Sequence, residues 1–199
     1  MHPDFYLTPD ESALVENAAW LLTKHRVIGK VMGVFGALSE AYGGILEEYA
    51  EFIPREITAV SPKIYKGEQY RQLPYVMLDQ PRFFRHDDTF AIRSFFWWGN
   101  SFSIHLLLGG KYKQLFEERI QSHIKDGSLE SWYLGVSEDP WQHHFEQDNY
   151  LPVSELKNKI DLAQKGRYLK IGKWHSVTDW KGAFAFFISS YKQMLESLI

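Results

Sequence analysis

The chain has 199 residues, 45% of them apolar and 16% aromatic, with no cysteine and a net charge of −3. That length suits one domain spanning 1–199, which buries roughly 70% of its unfolded surface and needs no metal or disulfide to hold it together. The absence of thiols excludes cysteine nucleophiles, thiolate metal sites and disulfides, and the slightly acidic balance argues against general nucleic-acid binding, which calls for a basic face.

Met1-His2-Pro3-Asp4 carries no basic region, and no apolar run leads from it to a small-residue cleavage site. No stretch reaches the ~18 uninterrupted apolar residues of a membrane span. The nearest, 27–38, is broken by Lys30 and several glycines. A cytoplasmic protein without membrane contact is expected.

A helical segment occupies about 8–53. Thr8-Pro9-Asp10-Glu11 has the spacing of a capping box with proline at the first helical position. Leu14, Ala18, Leu21, Leu22 and His25 then share one face. A second pattern runs through Val27, Val31, Phe35, Leu38, Tyr42, Ile45, Tyr49 and Phe52 until Pro54. Gly29 and Gly33, one turn apart, predict a close neighbour there, because glycine otherwise costs helix stability. Gly43-Gly44 predicts a break or bend.

A mixed sheet and helix segment follows from about 60 to 199. Strands are predicted at 63–69 and 74–79, with Tyr70 to Leu73 between them and Pro81 as an interruption. The clearest element is a hairpin over 90–108, two β-rich runs around Gly99-Asn100. A helix is expected at 111–124, a strand at 131–137, a loop at 138–150 containing Pro140, a helix at 152–165 and a strand at 168–174. A last helix begins near Asp179, with Trp180, Phe184, Phe187, Tyr191 and Met194 among its apolar face. Helices, then a hairpin, then mixed elements point to an α+β fold: a largely antiparallel sheet built around the hairpin and packed against N- and C-terminal helices.

With a two-residue turn, Arg93 pairs with Leu106 and Ser94 with His105, and side chains alternate between faces. One face then holds Trp97, Phe95, Arg93, Phe102, Ile104 and Leu106 and should meet the helices. A buried Arg93 needs a partner: Glu47, Glu48 or Asp79 within the protein, or a bound anion. The opposite face mixes rings with Ser94, Ser103 and His105, and His105 is the candidate acid or base.

Arg71, Arg82, Arg85 and His86 crowd the approach to the hairpin among Asp79, Asp87 and Asp88, either as a salt-bridged edge or as an anion site sharing Arg93. His86-Asp87-Asp88 also has the His-x-Asp spacing of a facial metal triad, with His143 or His144 as a distant third ligand. His143, His144, Glu146 and Asp148 form a ligand-rich run, although adjacent histidines diverge in regular structure. Gly109-Gly110-Lys111 lacks the rest of a phosphate-binding loop and reads as a strand terminator.

No motif names a reaction or a cofactor. Three expectations stand side by side. The first is a small anionic ligand, bound or processed by Arg93, Arg82, Arg71, Ser94, Ser103 and His105. The second is a metal-dependent oxidoreductase or hydrolase using His86, Asp88, His143 or His144. The third is a non-enzymatic interaction domain presenting exposed rings, with a homodimer among its assemblies.

Overall fold

The computed structural model describes residues 5–156 and 166–199. The capping box forms as its spacing predicts: Thr8 Oγ1 accepts from the Glu11 N–H at 3.3 Å, and the Glu11 carboxylate accepts from the Thr8 N–H at 2.7 Å, opening α1 (Pro9–Glu16). Asn17 ends α1 and caps α2 (Ala18–Glu48), its Oδ1 accepting from the Trp20 N–H at 3.1 Å. The stripe Ile28, Val31, Phe35, Leu38, Tyr42 and Ile45 is buried, at the three- and four-residue spacing of a core-facing helix.

The glycines of α2 behave differently from expectation. Gly29 and Gly33 have nothing within 4 Å of where a side chain would start. They fall on the solvent side of the helix, between the buried positions. Gly43-Gly44 does not break it, since Tyr42, Ile45 and Leu46 anchor the helix on both sides and tertiary packing outweighs intrinsic propensity. A short helix α3 (Arg55–Thr58) leads into the sheet.

Among the described residues the sheet has seven antiparallel strands: β1 (Lys63–Tyr70), β2 (Leu73–Arg85), β3 (Asp88–Trp97), β4 (Ser101–Gly109), β5 (Tyr133–Gly135), β6 (Tyr150–Pro152) and β7 (Tyr168–Ser176), in the order β1-β2-β3-β4-β7-β5-β6. The expected α+β architecture with the hairpin at the sheet's centre is therefore present. Pro81 does not end β2. The register slips by one residue between Asp79 and Arg82, and the strand continues to Arg85, the bulge leaving proline outside the ladder.

Helices α2, α4 (Gly110–Lys125) and α5 (Ala183–Glu196) cover one face, where Phe90, Ile92, Phe96, Phe102, Ile104, Leu106 and Leu108 of the hairpin join the main core. Aromatic rings fill that core; Tyr42 stacks on Tyr191 with centroids 3.7 Å apart. Most of the helix expected at 152–165 lies outside the described residues, apart from a 3-10 turn at Val153–Glu155. Among the described residues no helix is long and apolar enough to cross a membrane.

The hairpin register is the main correction. Trp97 pairs with Ser101, so Trp98, Gly99 and Asn100 form a three-residue turn. Arg93 consequently pairs with His105, and Ser94 with Ile104. This register puts Phe90, Ile92, Phe96, Phe102, Ile104, Leu106 and Leu108 on the helix side, whereas Phe95 and Trp97, expected there, pack with Met77 on the opposite face; a one-residue change of register moves side chains to the other face. Arg93 lies on the face away from the helices, together with His105 and Ser103. Ser94 is on the helix face, where its Oγ meets the Tyr42 hydroxyl at 2.9 Å, and so leaves the ligand set.

Candidate functional site

The sheet face away from the helices carries Asp79, Arg93, Ser103, His105, Lys170 and Tyr150, all buried. The 136–149 segment between β5 and β6 lays Pro140, Trp141 and His143 over Ala91, Arg93, His105, Leu107 and Lys170. The enclosed cavity measures about 10 Å³, roughly the space of one water molecule.

Arg93 organises one side of this chamber. Its Nε donates to Asp79 Oδ1 at 2.7 Å, and its Nη2 donates to Asp79 Oδ2 at 2.8 Å and to the Tyr65 hydroxyl at 3.1 Å. Asp79 is thus the internal carboxylate among the three candidates. Burial disfavours the guanidinium charge, but the Asp79 contacts outweigh it and the Arg93 pKa is raised. Arg93 Nη1 lies 3.0 Å from His143 Nε2. A guanidinium only donates, so Nε2 accepts and the imidazole proton sits on Nδ1. That Nδ1 is buried and has no hydrogen-bond partner among the described residues.

His105 organises the other side. Its Nε2 lies 2.9 Å from Ser103 Oγ and its Nδ1 lies 2.7 Å from the Tyr150 hydroxyl. Three hydrogens serve two links in this chain. If Tyr150 donates, Nε2–H points at Ser103 and the serine hydrogen is left over; if Ser103 donates, the tyrosine hydrogen is left over. The polarity is therefore set by whichever end meets an acceptor. Gly172 of β7, paired with His105, makes room for the link: a Cβ there would lie 2.9 Å from the Tyr150 hydroxyl and 3.0 Å from His105 Nδ1.

Lys170 Nζ donates to the Gln142 carbonyl and to Asn149 Oδ1, both at 2.9 Å. Its acceptors are neutral, and burial brings its pKa down to about 8 against a weaker upward pull from Asp139. Burial first, then the Lys170 and Arg93 charges, push His105 well below the usual imidazole value. His143 is lowered likewise by burial, then by His105, Arg93 and Lys170. Burial drives Tyr150 well above the ordinary phenol value. Near neutrality the chamber holds two neutral imidazoles, a neutral phenol, a compensated Asp79–Arg93 pair and one ammonium without a carboxylate partner among the described residues.

The remaining expected residues lie elsewhere. His144 turns away from His143: its Nδ1 is 3.3 Å from the Tyr70 hydroxyl and its Nε2 is 3.1 Å from Asp148. Among the described residues the ligand-type atoms that cluster belong to His144, Glu146 and Asp148, and His86, Asp88 and His143 do not join them. His86 is exposed in the β2–β3 turn at φ 50°, while Asp88 Oδ1 accepts the Lys111 N–H at 2.9 Å and so occupies the start of α4. Arg71 pairs with Glu146 at 3.0 Å. Arg82 donates to the Ser61 carbonyl at 3.0 Å, and with Arg85, Lys111 and Glu56 it lines an open groove of about 660 Å³. The arginines therefore do not share a site with Arg93.

Sequence reasoning passes over Lys170 and Tyr150. The strand expected at 168–174 does place Lys170 on the same face as Gly172, but an isolated lysine in a strand reads as solvated. Tyr150 sat at the edge of a loop. Comparison of the chain with family models, with curated proteins and with solved structures returns no match.

Proposed function

We propose that the chamber beneath the 136–149 segment binds a small anionic molecule carrying a single negative charge. One observation carries the reading: the buried His143 Nδ1–H, a donor with no acceptor among the described residues, lines the same cavity as the Lys170 ammonium, whose hydrogen-bond acceptors there are neutral. Buried donors are ordinarily satisfied, and a monovalent anion both accepts from Nδ1–H and balances Lys170. A molecule larger than water enters by displacing Trp141, which lies over the cavity and is 45% exposed, while His143 keeps its donor directed into the chamber. Of the segment's ties the Arg71–Glu146 pair is exposed, a kind of contact worth only about 0–1 kcal/mol, while Tyr70 and Lys170 hold its backbone by less accessible hydrogen bonds.

Isothermal titration calorimetry with formate, acetate, nitrate and inorganic phosphate tests this. Saturable binding of a monovalent probe is expected, weakened at least about tenfold in Lys170→Met and fading above pH 8 as Lys170 deprotonates. No binding by any probe, or unchanged affinity in a folded Lys170→Met variant, overturns the proposal.

A second reading, catalysis on the bound molecule, is favoured by the 2.9 Å contact between Ser103 Oγ and His105 Nε2. A hydroxyl beside a neutral imidazole that is oriented by a third group is the arrangement of an activated nucleophile. Mass spectrometry after treatment with a fluorophosphonate probe is expected to find Ser103 modified in the wild type and unmodified in His105→Ala. An unlabelled wild-type Ser103 removes this reading.

A further inference from the structure

Beyond its bulge, β2 loses one neighbour. β1 pairs with β2 only as far as the Lys63–Asp79 register. Residues 81–85 of β2 therefore have β3 on one side and, among the described residues, no strand on the other. The open groove of about 660 Å³ lies along that free edge, with Glu56 of α3, Ala59 and Val60 as its other wall. Side chains alternate between faces along a strand, so an uncovered edge collects them from both. Phe83 and Arg85 come from one face, Arg82 and Phe84 from the other, and Lys111 reaches the groove from the first turn of α4. The volume falls within the roughly 300–1,000 Å³ of small-molecule sites.

Among the described residues lining the groove, cations outnumber carboxylates. Arg85 Cζ and Lys111 Nζ lie 5.5 and 5.8 Å from the centroid of the same Phe83 ring, which brings a charge from β2 and a charge from α4 together. Glu56 Oε1 accepts from Lys111 Nζ at 3.1 Å and from the Tyr112 hydroxyl at 3.2 Å, so it answers Lys111. The nearby acids are engaged elsewhere: Asp87 pairs with Arg167, and Asp88 Oδ1 accepts the Lys111 N–H. Arg82 donates its Nε–H to the Ser61 carbonyl, a neutral acceptor. Neither Arg82 nor Arg85 has a carboxylate partner among the described residues. Two uncompensated guanidiniums call for a group with two negative charges and several acceptor oxygens, and arginine's forked donors match phosphate geometry. A phosphate monoester carries about −1.5 to −2 near neutrality. The Val60 side chain and the Phe84 ring, 39% exposed, offer apolar surface beside those charges. We propose that this groove is a second binding site, separate from the chamber, for a small phosphate monoester, its phosphate held by Arg82 and Arg85 and its apolar or aromatic part resting on Val60 and Phe84.

Isothermal titration calorimetry at about pH 7.5 tests this with three probes: phenyl phosphate; phenyl sulfate, which has the same shape and a single charge; and inorganic phosphate, which lacks the ring. Phenyl phosphate is expected to bind saturably and several-fold more tightly than either of the others. Arg82→Gln and Arg85→Gln alter side chains that are not buried, so both variants keep the fold, and each is expected to weaken phenyl phosphate binding about tenfold. Lys170→Met is expected to leave that affinity unchanged, and Arg85→Gln to leave formate binding in the chamber unchanged, so the two sites succeed or fail separately. No saturable binding of phenyl phosphate, unchanged affinity in both arginine variants, or equal affinity for phenyl sulfate overturns the proposal. So does binding that is lost in Lys170→Met and kept in Arg85→Gln, which would put the phosphate in the chamber.

Discussion

Asp79 and Arg93 face each other across β2 and β3, 10% or less of either side chain exposed, so removing one strands the other's charge. Arg93→Ala or Asp79→Ala is expected to cost about 3–5 kcal/mol. A double replacement by Met and Leu is expected to recover most of that loss, because an apolar pair leaves no uncompensated charge; urea unfolding of the three variants checks this. Gly172 gives a second prediction. Gly172→Ala drives a methyl into the Tyr150–His105 contact and is expected to cost about 1–3 kcal/mol. Differential scanning calorimetry should show a fall of several degrees, and a Tyr150→Phe background should relieve part of it. Legibility at this scale depended on burial. Arg93 announced itself as a charge within an apolar hairpin, and Asp79 was among its named partners. Lys170 and Tyr150 carry no such signal, because their burial comes from a loop laid over the sheet, which local pattern does not encode.

The elements were more readable than the contacts between them. Capping spacing located the start of α1, apolar periodicity the buried stripe of α2 and the helix α4, and β-rich runs the hairpin strands, but the break at Asn17 falls inside the face expected from Leu14 to His25, and α2 runs unbroken through Val27. What periodicity could not settle was the turn length, and one residue there decided which face carries Arg93, His105 and Ser103. Likewise the 138–150 loop was legible as a loop, but its docking was not. The Tyr70 hydroxyl makes that docking, accepting from the His143 N–H at 2.6 Å and from the His144 N–H at 3.1 Å. Tyr70→Phe leaves two backbone donors without an acceptor, a cost of about 1–3 kcal/mol concentrated in one segment. Hydrogen exchange read by mass spectrometry is expected to show faster exchange across 136–149 with unchanged protection in β3 and β4. Uniform acceleration over the whole sheet would mean that the segment and the sheet unfold as a single unit.

At the scale of the whole molecule, the buried titratable groups shape stability against pH. His105 and His143 have folded pKa values pushed well below the ordinary imidazole value. The unfolded chain therefore binds protons first as pH falls through about 6.5, and stability drops on the acid side. Lys170 works in the opposite region. With a folded pKa of about 8 and an unfolded value near 10.4, the unfolded chain holds more protons between those limits, so stability rises with pH there by up to roughly 3 kcal/mol. The raised phenols end that gain: Tyr65, held up at about 12 by burial, and Tyr150, also raised, ionise first in the unfolded chain above about pH 10. Urea midpoints are thus expected to climb from pH 5.5 to 7 and again from 7.5 to 9.5. Lys170→Met removes the buried ammonium, so it should be more stable than the wild type at pH 7 and should lose the second climb while keeping the first. A second climb that persists in Lys170→Met would assign it to another group. Its absence from the wild type would mean that Lys170 is solvated in solution and that the 136–149 segment already stands open.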